Sequence, residues 1–144
     1  LRRGDAVVGP GGDGAPRRVH VWEALELTFR AAADYEAPYR DVALYAQFSG
    51  PGGEQLLVPG FWDGENVFRV RFAPTAVGVW RWTALPSCPD DPGLQGEGTL
   101  RAAPWSAGEV AENPNRRGFV RVAPSGRFFT YAGGTPFYWL GDTL

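Results

Sequence analysis

The feature that most restricts the fold is a two-residue alternation of apolar and polar side chains, interrupted at short intervals by turn sequences. In DVALYAQFSG, every second residue from Val42 to Phe48 is apolar. VFRVRFAP repeats the pattern, with Arg69 and Arg71 between apolar neighbours. This alternation places one face of a strand against a core and the other in water. The sequence therefore predicts short, half-buried β-strands, with both arginines in cross-strand ion pairs or facing a neighbouring domain.

Turn-forming and aromatic residues define the fold class. The chain has 20 glycines and 13 prolines, and Asp63-Gly64 is a dipeptide typical of tight turns. Aromatic residues, which suit half-buried strands, make up 14% of the sequence. No stretch shows a helical period. About seven short strands with frequent turns predict an all-β fold, in the form of an immunoglobulin-like β-sandwich.

Changes in composition divide the sequence into four parts. A flexible lead-in rich in Gly, Pro and Arg precedes the sandwich strands, a linker follows them, and further short strands close the sequence. The last part contains the continuously apolar run from Pro136 to Leu140, typical of a strand buried on both faces in a parallel α/β barrel. The four ranges are 1–17, 18–104, 105–118 and 119–144.

Charge and composition exclude several classes of function. The formal net charge is -2, so no basic surface for nucleic acid is expected. No run of about 18 apolar residues is present, so no membrane span is predicted. The single cysteine, Cys88, has no partner for a disulfide or a structural zinc site. The single histidine, His20, has no nucleophile-elbow motif to accompany it. We expect no metal and no cofactor.

Two sets of side chains are candidates for binding, each with a structural alternative. Acidic residues in turns could bind calcium, but their spacing matches no calcium loop and Asp is common in turns: Asp63, Glu65, Asp90 and Asp91. Aromatic residues could stack on sugar rings, although period-two spacing favours core packing: Phe61, Trp62, Trp80, Trp82 and Trp105. Trp62, beside a turn, is the one that we expect to be exposed.

Two ordered groups of motifs resemble a pair of bacterial domains. An immunoglobulin-like β-sandwich at the N-terminus of bacterial glycoside hydrolases has a similar signature, carried here by Gly60-Phe61, Trp62-Asp63-Gly64, Arg71-Phe72-Ala73-Pro74 and Gly78-Val79-Trp80. The opening of an apiosidase-like (β/α)8 barrel is similar to the segment from Tyr131 to Pro136 followed by Gly141-Asp142-Thr143. The resemblance covers about residues 19–144. It departs from the family at Arg117-Gly118-Phe119, where members often have His-Gly-Pro.

The resemblance implies a function. It implies a non-catalytic accessory domain of a glycoside hydrolase acting on polysaccharide, joined to its own barrel. Of that barrel domain this sequence would hold the entry β-hairpin and the first strand. The catalytic carboxylates would come from later strands. Asp142 would lie at a strand end and contact sugar, or cap the next turn, and Trp62 is the second candidate for substrate binding. A secreted, periplasmic or cell-surface location is also implied, although no signal peptide is visible.

Two other functions remain open from the sequence. Exposed aromatic residues would suit a stand-alone carbohydrate-binding module. The tripeptide Arg3-Gly4-Asp5 would suit a cell-surface adhesion domain.

Overall fold

A computed structural model of the protein describes residues 17–141. Arg3-Gly4-Asp5 and Asp142 therefore lie outside the described residues. The chain divides into two compact units, the first ending at Ala103 and the second beginning at Pro104.

The first unit consists of the β-strands that the alternating pattern predicts, one short α-helix and a 3-10 helix at Pro92–Leu94. Strand β1 contains four residues and the longest, β6, contains nine. The elements are β1 Arg17–His20, β2 Leu25–Arg30, α1 Pro38–Asp41, β3 Leu44–Ser49, β4 Gln55–Trp62, β5 Val67–Phe72, β6 Gly78–Pro86 and β7 Glu97–Ala103. The predicted all-β class is confirmed.

The strands form one sheet that folds over on itself. Their order is β1-β7-β6-β3-β4-β5-β2, and β1 pairs with β7 in parallel while the other neighbours are antiparallel. Strand β4 changes partner midway: Gln55 to Pro59 pair with β3, whereas Gly60 to Trp62 pair with β5. The bend at Gly60 produces two layers, one containing β1, β7, β6 and β3 and the other containing β5 and β2.

Aromatic side chains fill the space between the two layers. Phe48 of β3 stacks on Phe72 of β5 with ring centroids 3.7 Å apart, and Trp80 of β6 meets Phe72 edge-on at 5.2 Å. Phe29 of β2 meets Trp82 of β6 at 6.0 Å. Trp80 and Trp82 are both buried, as their spacing predicts. These rings bury large apolar areas and therefore hold the layers together.

The outer face of β2 and β5 carries the expected ion pairs. Glu26 lies opposite Arg71 in the register of the two strands, and its carboxylate is 3.0 Å from Arg71 Nη2 and 3.4 Å from Arg69 Nη1. Arg69 also contacts Asp63 through its Nε. The predicted cross-strand pairs are confirmed. Ion pairs on a solvated sheet face contribute only about 0–1 kcal/mol each.

A buried carboxylate joins two loops of the first unit. Asp91 accepts hydrogen bonds from the backbone N–H groups of Ala32 (2.9 Å), Ala33 (3.1 Å) and Gly93 (2.8 Å), and from the Tyr35 hydroxyl (3.0 Å). Burial alone would raise the pKa of Asp91, but these hydrogen bonds outweigh burial and lower it. We call this set of contacts the Asp91 clasp. It ties the loop after β2 to the loop before β7.

The second unit contains a helix, a short 3-10 helix and a three-stranded sheet. The sheet has the order β10-β9-β8 with antiparallel pairing. The elements are α2 Ala107–Glu112, the 3-10 helix Pro114–Arg117, β8 Val120–Val122, β9 Phe129–Tyr131 and β10 Pro136–Phe137.

The segment 105–118, predicted as a linker, contains a short helix that no helical period in the sequence indicates. Ser106 and Glu109 form a capping box, in which the Ser106 hydroxyl accepts from Glu109 N–H and the Glu109 carboxylate accepts from Ser106 N–H. Helix α2 has only six residues, too few to display a helical period. The capping box is the sequence signal that identifies it.

The apolar run from Pro136 to Leu140 is not buried among the described residues. Strand β10 ends at Phe137, and Tyr138, Trp139 and Leu140 are 81%, 67% and 82% exposed. A strand of this kind requires neighbours on both sides. The described part of the second unit supplies only β9 as a neighbour of β10.

Replacing Asp91 with Asn should lower the free energy of unfolding by about 2 kcal/mol, because an amide offers one acceptor oxygen to donors that a carboxylate shares between two. Urea denaturation measures the difference. Asp90→Asn is the matched control, since Asp90 is exposed, and should match the wild type.

The stability that Asp91 provides should depend on pH. Because the pKa is lowered in the folded state, this contribution is fully present above the ordinary Asp value of 3.8 and is lost as the pH falls through the lower pKa of the folded protein. Stability should therefore fall more steeply in acid for the wild type than for Asp91→Asn. Equal slopes would contradict the role of the clasp.

Replacing Gly60 with Ala should destabilise the bend in β4. An added Cβ would lie 3.0 Å from the Arg69 carbonyl oxygen and 3.1 Å from the Leu44 carbonyl oxygen, so the backbone would have to shift. The expected loss is about 1–3 kcal/mol in urea denaturation. Gly108→Ala is the control, because Gly108 lies in α2 with no atom within 4 Å of an added Cβ. Unchanged stability of Gly60→Ala would show that the bend does not need this close approach.

Candidate functional site

A groove opens at the edge of the sandwich where β4 leaves β3 and joins β5. Pairing of β3 with β4 ends at Tyr45 and Pro59, and pairing of β4 with β5 begins at Gly60. Helix α1 lies on the other side of the opening. The groove has a volume of about 360 Å³ and is lined by Tyr39, Val42, Ala43, Leu44, Tyr45, Pro59, Gly60, Phe61, Trp62 and Phe68. This volume lies in the range of small-ligand sites.

Trp62 borders the groove with its indole held in place. It lies opposite Phe68 in the register of β4 and β5, yet it is 40% exposed whereas Phe68 is buried. Its Nε1 donates a hydrogen bond to the Glu65 carbonyl oxygen at 2.9 Å. Glu65 and Gly64 form the predicted turn with φ of 49° and 99°, which presents that carbonyl to the indole. The expected exposure of Trp62 is confirmed.

Tyr39 forms the opposite wall of the groove. It is 70% exposed, and its ring centroid is 6.1 Å from that of Trp62 with the two planes inclined by 44°. Helix α1 begins at Pro38, and the Asp41 carboxylate accepts a hydrogen bond from Ala37 N–H at 2.9 Å. A preset proline φ and this contact fix the single turn that carries Tyr39.

Two further exposed aromatic residues complete the site. Tyr45 lies at the last β3 pairing position beside Pro59, and Phe61 lies beneath Arg71, whose guanidinium carbon is 5.3 Å from the ring centroid. We call the site formed by Tyr39, Tyr45, Phe61 and Trp62 the aromatic groove. Its walls offer ring faces and phenol hydroxyls, which are groups suited to binding a ligand.

The structure separates the five aromatic residues that the sequence offered as a sugar platform. Phe61 and Trp62 line the aromatic groove. Trp80 and Trp82 are buried in the core, and Trp105 belongs to the second unit, where the Arg116 guanidinium carbon lies 4.3 Å from its ring centroid.

Sequence reasoning missed the two tyrosines of the aromatic groove. Tyr45 occupies a position in β3 that the alternation assigns to the polar face, which was a usable signal of exposure. Tyr39 follows Pro38 in a one-turn helix, and no periodic pattern marks it.

The four acidic residues considered as calcium ligands do not form a common site. Asp63 contacts Arg69, and Asp91 accepts the hydrogen bonds of the clasp. Glu65 lines a second cavity of about 340 Å³ between the loop after β2 and the turn before β5, and Asp90 is exposed. Within residues 17–141, no group of three or more His, Cys, Asp or Glu side chains is arranged to hold a metal.

The single histidine and the single cysteine each lie near a polar side chain of a neighbouring residue. His20 Nδ1 is 3.4 Å from the Glu23 carboxylate. Cys88 is a half-buried free thiol next to Ser87, with 3.8 Å between Sγ and Oγ. Among the described residues, no helix combines the length and apolar character needed to cross a membrane.

Comparisons with known proteins connect the fold to a domain family and to a solved structure. Residues 18–86 match the family described as "Domain of unknown function (DUF5060)". A crystal structure from Bacteroides vulgatus ATCC 8482, described as a "putative glycoside hydrolase", is similar with a TM-score of 0.69 and 33% sequence identity. The similarity covers 85% of this chain and 21% of that chain, so the present chain spans about a fifth of its length. The search of curated proteins gave no match.

Removal or addition of calcium should leave the stability of the protein unchanged. The carboxylate of Asp91 is already saturated by protein donors and that of Asp63 is paired with Arg69, so neither is free to bind the ion. Thermal unfolding in millimolar calcium and in EDTA should give midpoints within about 1 °C of each other. A larger rise with calcium, lost in Asp63→Asn but not in Asp90→Asn, would reinstate a calcium site.

Proposed function

We propose that the first unit is the non-catalytic accessory β-sandwich of a glycoside hydrolase acting on polysaccharide. The observation that carries the proposal is the similarity of 85% of this chain to 21% of a protein described as a putative glycoside hydrolase. At 33% identity, the two share sequence as well as fold. A segment that occupies about a fifth of such a protein leaves the larger part for a catalytic domain.

We further propose that residues 119–144 open that catalytic domain, a (β/α)8 barrel of the apiosidase-like type. The support is the motif from Tyr131 to Pro136 followed by Gly141-Asp142-Thr143. The apolar side chains of Tyr138, Trp139 and Leu140 are exposed, as expected for a strand whose neighbours come from the rest of a barrel. The barrel would then be the partner of the sandwich.

In this proposal Asp142 lies at the carboxyl end of the first barrel strand. Active sites of (β/α)8 enzymes occupy that end of the barrel, and the residues that cleave glycosidic bonds are a pair of carboxylates. Asp142 would contact substrate hydroxyls while the carboxylate pair comes from later strands. The family resemblance further implies that the protein would work in the periplasm, at the cell surface or after secretion.

The proposal predicts that catalysis requires more than these 144 residues. The 144-residue chain should release no aryl alcohol from aryl glycosides, because one strand end does not provide a paired-carboxylate site. The longer protein that the proposal requires should hydrolyse glycosidic bonds. Hydrolysis by the 144-residue chain itself, above a heat-denatured control, would refute the accessory role.

The same assay in the longer protein tests Asp142. Asp142→Asn should lower kcat/KM by about tenfold or more, which is the loss of one charged hydrogen bond to substrate. Asp90→Asn is the matched control because Asp90 is an exposed residue of the sandwich. Equal kinetics for both variants would remove Asp142 from the proposed substrate site.

A further inference from the structure

We infer that the aromatic groove binds the uncharged pyranose rings of a neutral polysaccharide. This inference rests on the proposed function and names the ligand that the accessory sandwich would hold. It assigns the exposed faces of Tyr39 and Trp62, two rings that contact each other, as the surface on which a sugar residue is bound. The binding is separate from catalysis.

The absence of charge on the groove walls selects the ligand. All ten residues that line it are apolar, aromatic or glycine, and none carries an ionisable carboxylate, amine or guanidinium. An acidic sugar or a phosphate stacked on Tyr39 and Trp62 would lose hydration without gaining a counter-charge, since the guanidinium of Arg71 lies over Phe61 and not over these two rings. A neutral sugar ring buries its C–H face against an aromatic ring and keeps its hydroxyls at the rim.

The geometry of the two rings suits a sugar residue better than an apolar peptide. Tyr39 and Trp62 are inclined by 44° with centroids 6.1 Å apart, so the two rings contact each other, and they remain 70% and 40% exposed. A pyranose can lay its C–H face on the exposed part of either ring and keep its own hydroxyls in water. An apolar helix in the same place would bury the hydroxyl of the exposed Tyr39 without a partner, which is unfavourable.

The groove is already ordered before any ligand binds. The hydrogen bond from Trp62 Nε1 to the Glu65 carbonyl oxygen fixes the indole, and Arg71 lies over the ring of Phe61. Binding therefore requires little additional ordering of these side chains, which favours affinity.

The test is a titration of the 144-residue chain with oligosaccharides, followed by calorimetry and tryptophan fluorescence. The probes are neutral β-1,4-linked glucan, xylan and mannan oligosaccharides, with oligogalacturonate of equal length as the acidic counterpart. At least one neutral probe should bind, and at least about tenfold more tightly than oligogalacturonate. Failure of every neutral probe, or preference for oligogalacturonate, would overturn the inference.

Three variants locate the binding. Tyr39→Ala and Trp62→Ala should each raise the Kd of the neutral probe by at least about tenfold. Trp139→Ala is the matched control, because Trp139 lies in the second unit, is 67% exposed and also contacts neighbouring rings. Its Kd should equal that of the wild type.

A folding control keeps this test decisive. Trp62→Ala also removes the bond to Glu65, so unfolding midpoints are measured for every variant. If Trp62→Ala is destabilised, Tyr39→Ala decides, because Tyr39 is 70% exposed. Binding that survives Tyr39→Ala, or that disappears in Trp139→Ala, would overturn the assignment to the aromatic groove.

The two proposals fail in different ways. Normal hydrolysis by the longer protein together with absent sugar binding would overturn the groove inference alone. Sugar binding that depends on Tyr39, together with no hydrolysis by the longer protein, would overturn the accessory role in a hydrolase while the groove stands.

Discussion

The transfer of β4 from one layer to the other at Gly60 is the constraint on which the rest of the first unit depends. A single strand pairs with β3 through its first half and with β5 through its second half. The backbone and the hydrogen bonds of β4 therefore join the two layers at this edge. The rings of Phe48, Phe72 and Trp80 pack between the layers. A Cβ added at position 60 would lie only 3.0 Å and 3.1 Å from the Arg69 and Leu44 carbonyl oxygens, so glycine is the residue that fits.

The same bend also creates the aromatic groove. Once β4 has left β3, the edge beyond Tyr45 and Pro59 is no longer paired, and the space is bordered by α1 instead. Trp62 follows the bend by two residues, in register with buried Phe68, and so lies where the inner face of the sheet reaches solvent. Core and groove are thus two consequences of one change of strand partner. The Asp91 clasp acts elsewhere and holds two loops together.

In the second unit, one sequence signal is completed by nearby residues and another is not. Its capping box, formed by Ser106 and Glu109, is completed by residues three positions apart. Its apolar run is not buried by nearby residues: Tyr138, Trp139 and Leu140 remain exposed. A local signal can be read correctly from a short stretch, whereas the burial of a strand depends on partners distant in sequence. This explains why the sequence identifies the run as apolar, whereas the partners that would bury it cannot be identified from the run itself.

The sequence by itself determined the β class, the tight turn at Asp63-Gly64, the burial of Trp80 and Trp82 and the exposure of Trp62, because period-two alternation and turn chemistry are local properties. Tertiary structure alone decided that Tyr39 of α1 faces Trp62. It also decided that Asp91 accepts hydrogen bonds from Ala32 and Ala33, almost 60 residues earlier. These contacts depend on which strands become neighbours, and alternation specifies the face of each residue but not the partner of each strand.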